Sequence, residues 1–164
     1  MKPKVVRVLE HDHWAVAEGT RPVGPFILRY RTPVITATDT GAHIHLVQLV
    51  WEFDDPQSGA MPEPGVSETM QHFEDRLCAA WERDGLAFLA AVLTIDGARQ
   101  WIVYARDVAE CLRRLAPMRH HGEPYPVEIT SRIDRAWSFL HEGVLSEVDW
   151  QPHNPAWEAA LGPV

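Results

Sequence analysis

Leu86-Ala-Phe-Leu-Ala-Ala-Val-Leu-Thr-Ile95, Asp96-Gly97, Ala98-Arg-Gln-Trp-Ile-Val-Tyr-Ala-Arg106 is the stretch that decides the fold. Two apolar runs rich in aromatic and β-branched residues flank a two-residue Asp-Gly loop. Both loop residues tolerate the positive φ that a type I′ turn requires, so the stretch is predicted to be a β-hairpin. With Asp96 and Gly97 as the loop, one side pairs Ile95 with Ala98, Leu93 with Gln100, Ala91 with Ile102 and Leu89 with Tyr104. The other pairs Thr94 with Arg99, Val92 with Trp101, Ala90 with Val103 and Phe88 with Ala105. Neither side is polar, so both faces of the sheet need cover.

Working outward, His43 to Phe53 reads as a central strand, because both alternating faces carry apolar residues. The Asp, Pro, Ser and Gly content of 54–65 ends it. Val66, Met70, Phe73, Leu77 and Trp81 then follow a helical period, with Ser67 as the expected cap and Gly85 as the stop. After the hairpin, Asp107 and Glu110 form an Asp variant of the capping box. A short helix follows, with Val108, Cys111, Leu112 and Leu115 on one face before Pro117. Tyr125, Val127 and Ile129 alternate as a half-buried edge strand, where Pro126 is tolerable only at an edge or strand start.

The order from 43 to 131 is therefore βαββαβ, and the expected class is α+β, a ferredoxin-like α/β sandwich with both helices on one face. The remainder divides into an N-terminal β-rich wrapping segment (1–42), with short strands at Val5 to Leu9 and Phe26 to Tyr30, and a C-terminal extension (132–164). In that extension 133–143 reads as a short helix, and Asn154-Pro155 opens a last turn with Trp157 and Leu161. One domain accommodates all 164 residues. Two helices cover one sheet face; the long flanks, with Trp14, Trp137, Trp150 and Trp157, are favoured over a second subunit to cover the other.

Composition narrows the partners. A formal charge of −8 with no local Lys/Arg cluster disfavours nucleic acid. The opening residues lack the apolar core of a signal peptide, and no run approaches the roughly 20 apolar residues of a membrane helix. A cytoplasmic protein without a membrane partner is expected. Cys78 and Cys111 fall on helix stripes and read as buried, reduced thiols rather than a disulfide or a reactive pair.

Few residues suggest chemistry. His43 and His45 share a strand face, and His11-Asp12-His13 offers a second His-x-His pair; Asp12, Asp39 or Glu52 would complete a metal site. Against that stands the ordinary frequency of such pairs on an alternating strand, with surface or hydrogen-bonded histidines as the plainer reading. Glu52, Asp54, Asp55 and Glu63 serve a polar turn before they serve a cation. His120-His121 before Gly122 reads as a solvated loop. Ser67 and Ser138 lack a nucleophile elbow, and no phosphate-cradling glycine loop is present. Arg99, Trp101 and Tyr104 are the hairpin residues suited to recognition, since Arg and aromatics anchor interfaces, although Trp and Tyr are also ordinary core residues of strands.

The chain resembles the domain-of-unknown-function family 695, an uncharacterised bacterial family. The resemblance rests on Gly59-Ala-Met-Pro62, on Val92 to Ala105 with its Asp-Gly-x-Arg turn and Trp-Ile-Val-Tyr, on Pro124 to Ile129 and on Asp134-Arg-Ala-Trp-Ser-Phe139. It departs at Leu140, where a Tyr is expected after Ser-Phe. The resemblance implies a small α/β sandwich and carries over no catalytic residue and no cofactor. Asp134 and Trp137 read as a cap and an anchor for the C-terminal turn. The functional expectation is a non-enzymatic protein-binding or regulatory module, engaging a protein partner or a second copy of itself through a sheet face or edge. The alternative is a small metal-dependent hydrolase using His43, His45 and nearby carboxylates.

Overall fold

The Asp96-Gly97 loop takes φ of 50° and 72°, the paired left-handed values of a I′ turn. It joins β4 (Ala87–Ile95) to β5 (Ala98–Ala105) in the computed structural model, which describes residues 13–22, 24–32, 41–53 and 61–145. The tip is tied to its neighbour: Phe53 N donates to Gly97 O at 2.8 Å, and a Cβ on Gly97 would lie 3.3 Å from Phe53 O.

Around the hairpin the fold is mixed α+β, with a mostly antiparallel architecture and few helices. In chain order the elements are β1 (His13–Arg21), β2 (Gly24–Thr32), β3 (His45–Glu52), α1 (Pro64–Trp81), β4, β5 and α2 (Val108–Leu115). A two-residue ladder of β6 (Arg119–His120) and β7 (Glu123–Pro124) follows, then β8 (Glu128–Ile133) and a π-helical turn, Phe139–Val144. Six strands form one sheet in the order β1-β2-β4-β5-β3-β8, every neighbour antiparallel. The N-terminal strands continue this sheet in its plane beyond β4 rather than crossing its face. Val5 to Leu9, Trp150 and the turn at Asn154-Pro155 lie outside the described residues.

The hairpin register follows the expected pairs from Ile95↔Ala98 to Ala91↔Ile102, then shifts. Ala90 is the extra residue of a bulge, so Leu89 pairs with Val103 and Phe88 with Tyr104. This corrects the simple alternation. Leu89 turns to the helix side with Val92, and Phe88 turns to the opposite side with Ala91 and Leu93.

Two cores result. On one face Met70, Phe73, Leu77 and Trp81 of α1 and Cys111 of α2 bury Val47, Leu49, Trp51, Val92, Trp101 and Val103. Phe73 is the centre of the aromatic packing, with ring centroids 5.1 Å from Trp101 and 4.9 Å from Tyr125. On the other face Leu46, Phe88, Leu93, Ile102 and Tyr104 pack with Phe26, Leu28 and Tyr30 of β2 and with Trp137, Leu140, Val144 and Leu145. The segment after β8 thus supplies cover for the face the helices leave. Trp14, expected among the covering residues, instead packs on the helix side, beneath the guanidinium groups of Arg29 and Arg31.

Local chemistry explains the boundaries. α1 starts earlier than expected: Pro64 stands in the first turn behind Glu63, and Ser67 N already donates to Glu63 O at 2.9 Å, so Ser67 is not the cap. Proline suits this place because its missing N–H and fixed φ cost nothing there. α2 is capped as read, Asp107 Oδ1 accepting from Glu110 N at 3.1 Å, but Leu112 faces outward. Tyr125 and Val127 precede the last strand instead of belonging to it. Val127 N bonds back to Tyr125 O at 2.8 Å, a three-residue turn centred on Pro126, whose fixed φ favours it. His121 and Gly122, with φ of 50° and 81°, close the β6–β7 ladder as a turn rather than a loose loop.

Candidate functional site

The three hairpin residues singled out from sequence do not share a surface. Arg99 and Trp101 lie on the helix side of β5, and Tyr104 lies on the opposite side. All three are buried. Trp101 and Tyr104 each direct their one polar group to a carboxylate, which is what a buried indole or phenol requires.

Around Trp101 that carboxylate is Glu74 of α1, 7% exposed, whose Oε1 accepts from the indole Nε1 at 2.9 Å and pairs with Arg29 of β2 at 2.5 Å. Gln71 approaches its other oxygen at 3.4 Å. Arg99 donates from Nε to Thr94 Oγ1 at 2.9 Å across the hairpin. Burial, together with the like charge of Arg29, draws the Arg99 pKa down, and Glu74 opposes them. About two turns further, at the C-cap of α1, Glu82 grips Arg31 through two bonds of 2.8 and 2.9 Å and accepts from Leu89 N at 3.0 Å. Two ion pairs therefore bind the second strand to the helix. Glu74 was missed from sequence although the signal was present: it stands four residues after Met70 and three before Leu77, on the buried stripe.

Around Tyr104 the carboxylate is Asp134. Its Oδ2 accepts from Tyr104 Oη at 2.8 Å and Phe139 N at 3.0 Å, and its Oδ1 from Ser138 N at 3.0 Å. The Trp137 ring stacks on Tyr104 at 4.1 Å and 11°, while its Nε1 donates to His43 O at 2.8 Å. Burial pulls the Asp134 carboxyl upward, but the three bonds outweigh it and hold it below the ordinary range. Burial, then the Asp134 hydrogen bond and charge, push Tyr104 far up. Asp134 and Trp137 are thus the cap and the anchor of the turn, and the cluster is a clasp. Leu140, where a Tyr was expected, is buried in the same core, and its N–H reaches Tyr104 Oη at 3.3 Å.

His43 is buried and donates from Nε2 to Gly85 O at 2.8 Å, so that nitrogen is protonated and not a ligand in this arrangement. His45 is half-buried, paired in the ladder with Ala105 and Ile133. Among the described residues no group of three or more His, Cys, Asp or Glu is placed to hold a metal ion. Asp12, Asp39, Asp54 and Asp55 lie outside them. Leu77, Cys78, Trp81, Glu82, Ala87, Leu89 and Val103 line a crevice open to solvent that has no interior room for even a water molecule. Small-molecule sites usually begin at about 300 Å³. No helix among the described residues is long and apolar enough to cross a membrane.

Fold and side-chain arrangement together define an α+β protein built on one antiparallel sheet, whose polar clusters tie its layers together. The chain belongs to the family of unknown function DUF695, whose model matches residues 12–143. The match includes β1 and β2 as well as the 59–139 region that carries the resemblance. Comparison with curated proteins finds no match, and comparison with solved structures finds none.

Proposed function

We propose that this protein is a non-enzymatic, cytoplasmic protein-binding or regulatory module whose partner adds a strand to the outer edge of β8. The same reading takes β3–α1–β4–β5–α2–β8 as a ferredoxin-like unit. Its support is the strand order β4-β5-β3-β8, with both helices contributing to the core on one face. With core side chains on both faces, the sheet offers its edges to a partner.

The observation that carries the edge reading is the exposure of β8. Only Ile129 among its six residues is half-buried, and Ile133 is 59% exposed. Asp134 N donates to Ile44 O at 2.8 Å, and the β3–β8 register continues from His45↔Ile133. Alternation then points the backbone groups of 128, 130 and 132 at β3, and those of 129, 131 and 133 outward. An extended segment of a partner, or of a second copy, finds a row of donors and acceptors there.

Ser131→Pro removes one outward N–H and leaves the bonds to β3 in place, whereas Ser131→Val keeps the edge intact. Affinity capture from the native cytoplasm, repeated with purified partner, should retain binding in the Val variant. The Pro variant should lose at least about tenfold in affinity, the scale of a hydrogen bond and its ladder neighbours. A partner that binds the Pro variant equally refutes the edge. A hydrolytic activity that depends on His43 and His45 refutes the non-enzymatic reading.

A further inference from the structure

The helix-facing side of the sheet holds a charge imbalance that packing alone does not use. Arg99 is only 9% exposed, yet among the described residues its guanidinium makes a single hydrogen bond, Nε to Thr94 Oγ1, and no ion pair. The carboxylate that acts on it, Glu74, is already engaged by Arg29, by the Trp101 indole and by Gln71. Among the described residues, two guanidinium groups and one carboxylate leave a surplus positive charge. Arginine cannot shed its proton to relieve it. Water still reaches the Arg99 Nη atoms, so the cation is partly desolvated, and a counter-charge held at short range stabilises it further.

We propose that Arg99, with Arg29 and Thr94 beside it, forms a binding site for a single carboxylate group between β2, β5 and α1. The N–H donors of the Arg99 Nη atoms form a planar fork that matches the two oxygens of a carboxylate. Charge selects the ligand. One negative charge brings the cluster to neutrality, whereas a phosphate dianion would add a surplus negative charge beside Glu74. Access is from the Arg29 side, whose side chain is 30% exposed and carries the Trp14 ring 5.2 Å from its guanidinium carbon. Because the whole chain carries a formal −8, its long-range field repels anions while the local site attracts them. Moderate salt screens the first more than the second, so it should leave affinity unchanged or raise it.

The test uses the full chain with N-acetylglycine as the probe. It follows the Arg99 Nε–Hε NMR resonance, assigned by its absence from Arg99→Lys, with binding of each protein also measured by calorimetry. The native protein should give a saturable shift. Arg99→Met, which removes a partly desolvated cation and should melt no lower than the native protein, should bind at least about tenfold more weakly. Should the Met variant fail to fold, Arg99→Lys keeps the charge but loses the fork, and should bind at least about threefold more weakly. Absence of a saturable shift up to about 100 mM probe, a weak-fragment limit, overturns the site. So does undiminished binding by the folded variants. Tighter binding of inorganic phosphate than of N-acetylglycine overturns the carboxylate assignment.

Discussion

Replacing Trp137 tests whether the clasp after β8 seals the second sheet face. The ring is fully buried, stacks on Tyr104 and Phe88, and donates to His43 O. Trp-to-Ala in a core costs about 3–5 kcal/mol. Stacking beyond area burial adds about 0.5–1.5 kcal/mol, and the stranded His43 carbonyl about 1–3 kcal/mol. These overlap, because one cavity causes all three, so the expected loss is about 5 kcal/mol. Against a total stability of about 5–15 kcal/mol that is a large share. At about 2–4 °C per kcal/mol for a chain of this size, the melting temperature should fall by about 10–20 °C. The backbone sharpens the test, since Trp137 sits at φ 57°. Alanine keeps that left-handed strain and glycine relieves it, by about 1 kcal/mol. Trp137→Gly should therefore be at least as stable as Trp137→Ala, reversing the usual order of the two residues. Urea unfolding followed by circular dichroism measures both, and binding of an apolar dye at low urea reports the uncovered face. A loss below about 2 kcal/mol, or a glycine variant clearly weaker than the alanine one, would refute the clasp.

Three further outcomes follow from the geometry. Asp134 has a folded pKa below its unfolded value, so its contribution is present above the unfolded pKa near 3.9 and is lost as pH falls through the folded one. Unfolding curves of Asp134→Asn should accordingly flatten between about pH 5 and pH 2 relative to the native protein; parallel curves would contradict this. Burial pushes the Cys111 thiol up to about 12, so alkylation of native protein at pH 8 should give at most one adduct, on half-buried Cys78, and two only after denaturation. Mass spectrometry of the native adduct decides it. Deleting Ala90 removes the extra residue and leaves Leu89, Phe88 and Ala87 on their present faces, paired with Val103, Tyr104 and Ala105, so it should cost less than Leu89→Ala, itself about 2–5 kcal/mol. A deletion variant that fails to fold, or that loses more than Leu89→Ala, would show that Ala90 is not merely the extra residue of the ladder.

Where local rules and tertiary demands coincide, the chain was readable. Asp96-Gly97 specifies its turn, Asp107 its cap, and the Met70–Trp81 stripe its helix, because each signal acts within a few residues. β1 escaped for a tertiary reason. Gly19 looks like a break, yet it stands in mid-strand opposite Phe26, where a Cβ would lie 2.7 Å from the ring. The missing side chain seats that aromatic. The Ala90 bulge and the His121-Gly122 turn were hidden in another way, since a one-residue insertion and two-residue strands leave no periodicity to read. At the site, Arg99, Trp101 and Tyr104 were legible as notable residue types but not as residents of two faces. Their sides and partners depend on Glu74 and Asp134, 27 and 30 residues away.

The position of the clasp also orders the birth of the protein. A chain made from its N-terminus completes the six strands of the described sheet, α1 and α2 before Trp137 and Leu140 leave the ribosome. Until they do, Leu46, Phe88, Ile102 and Tyr104 await their closing layer. The nascent chain thus passes through an interval in which an assembled sheet presents an oily face to the cell, the kind of surface that chaperones hold and neighbouring chains stick to. A stop codon placed before residue 137 makes that interval permanent.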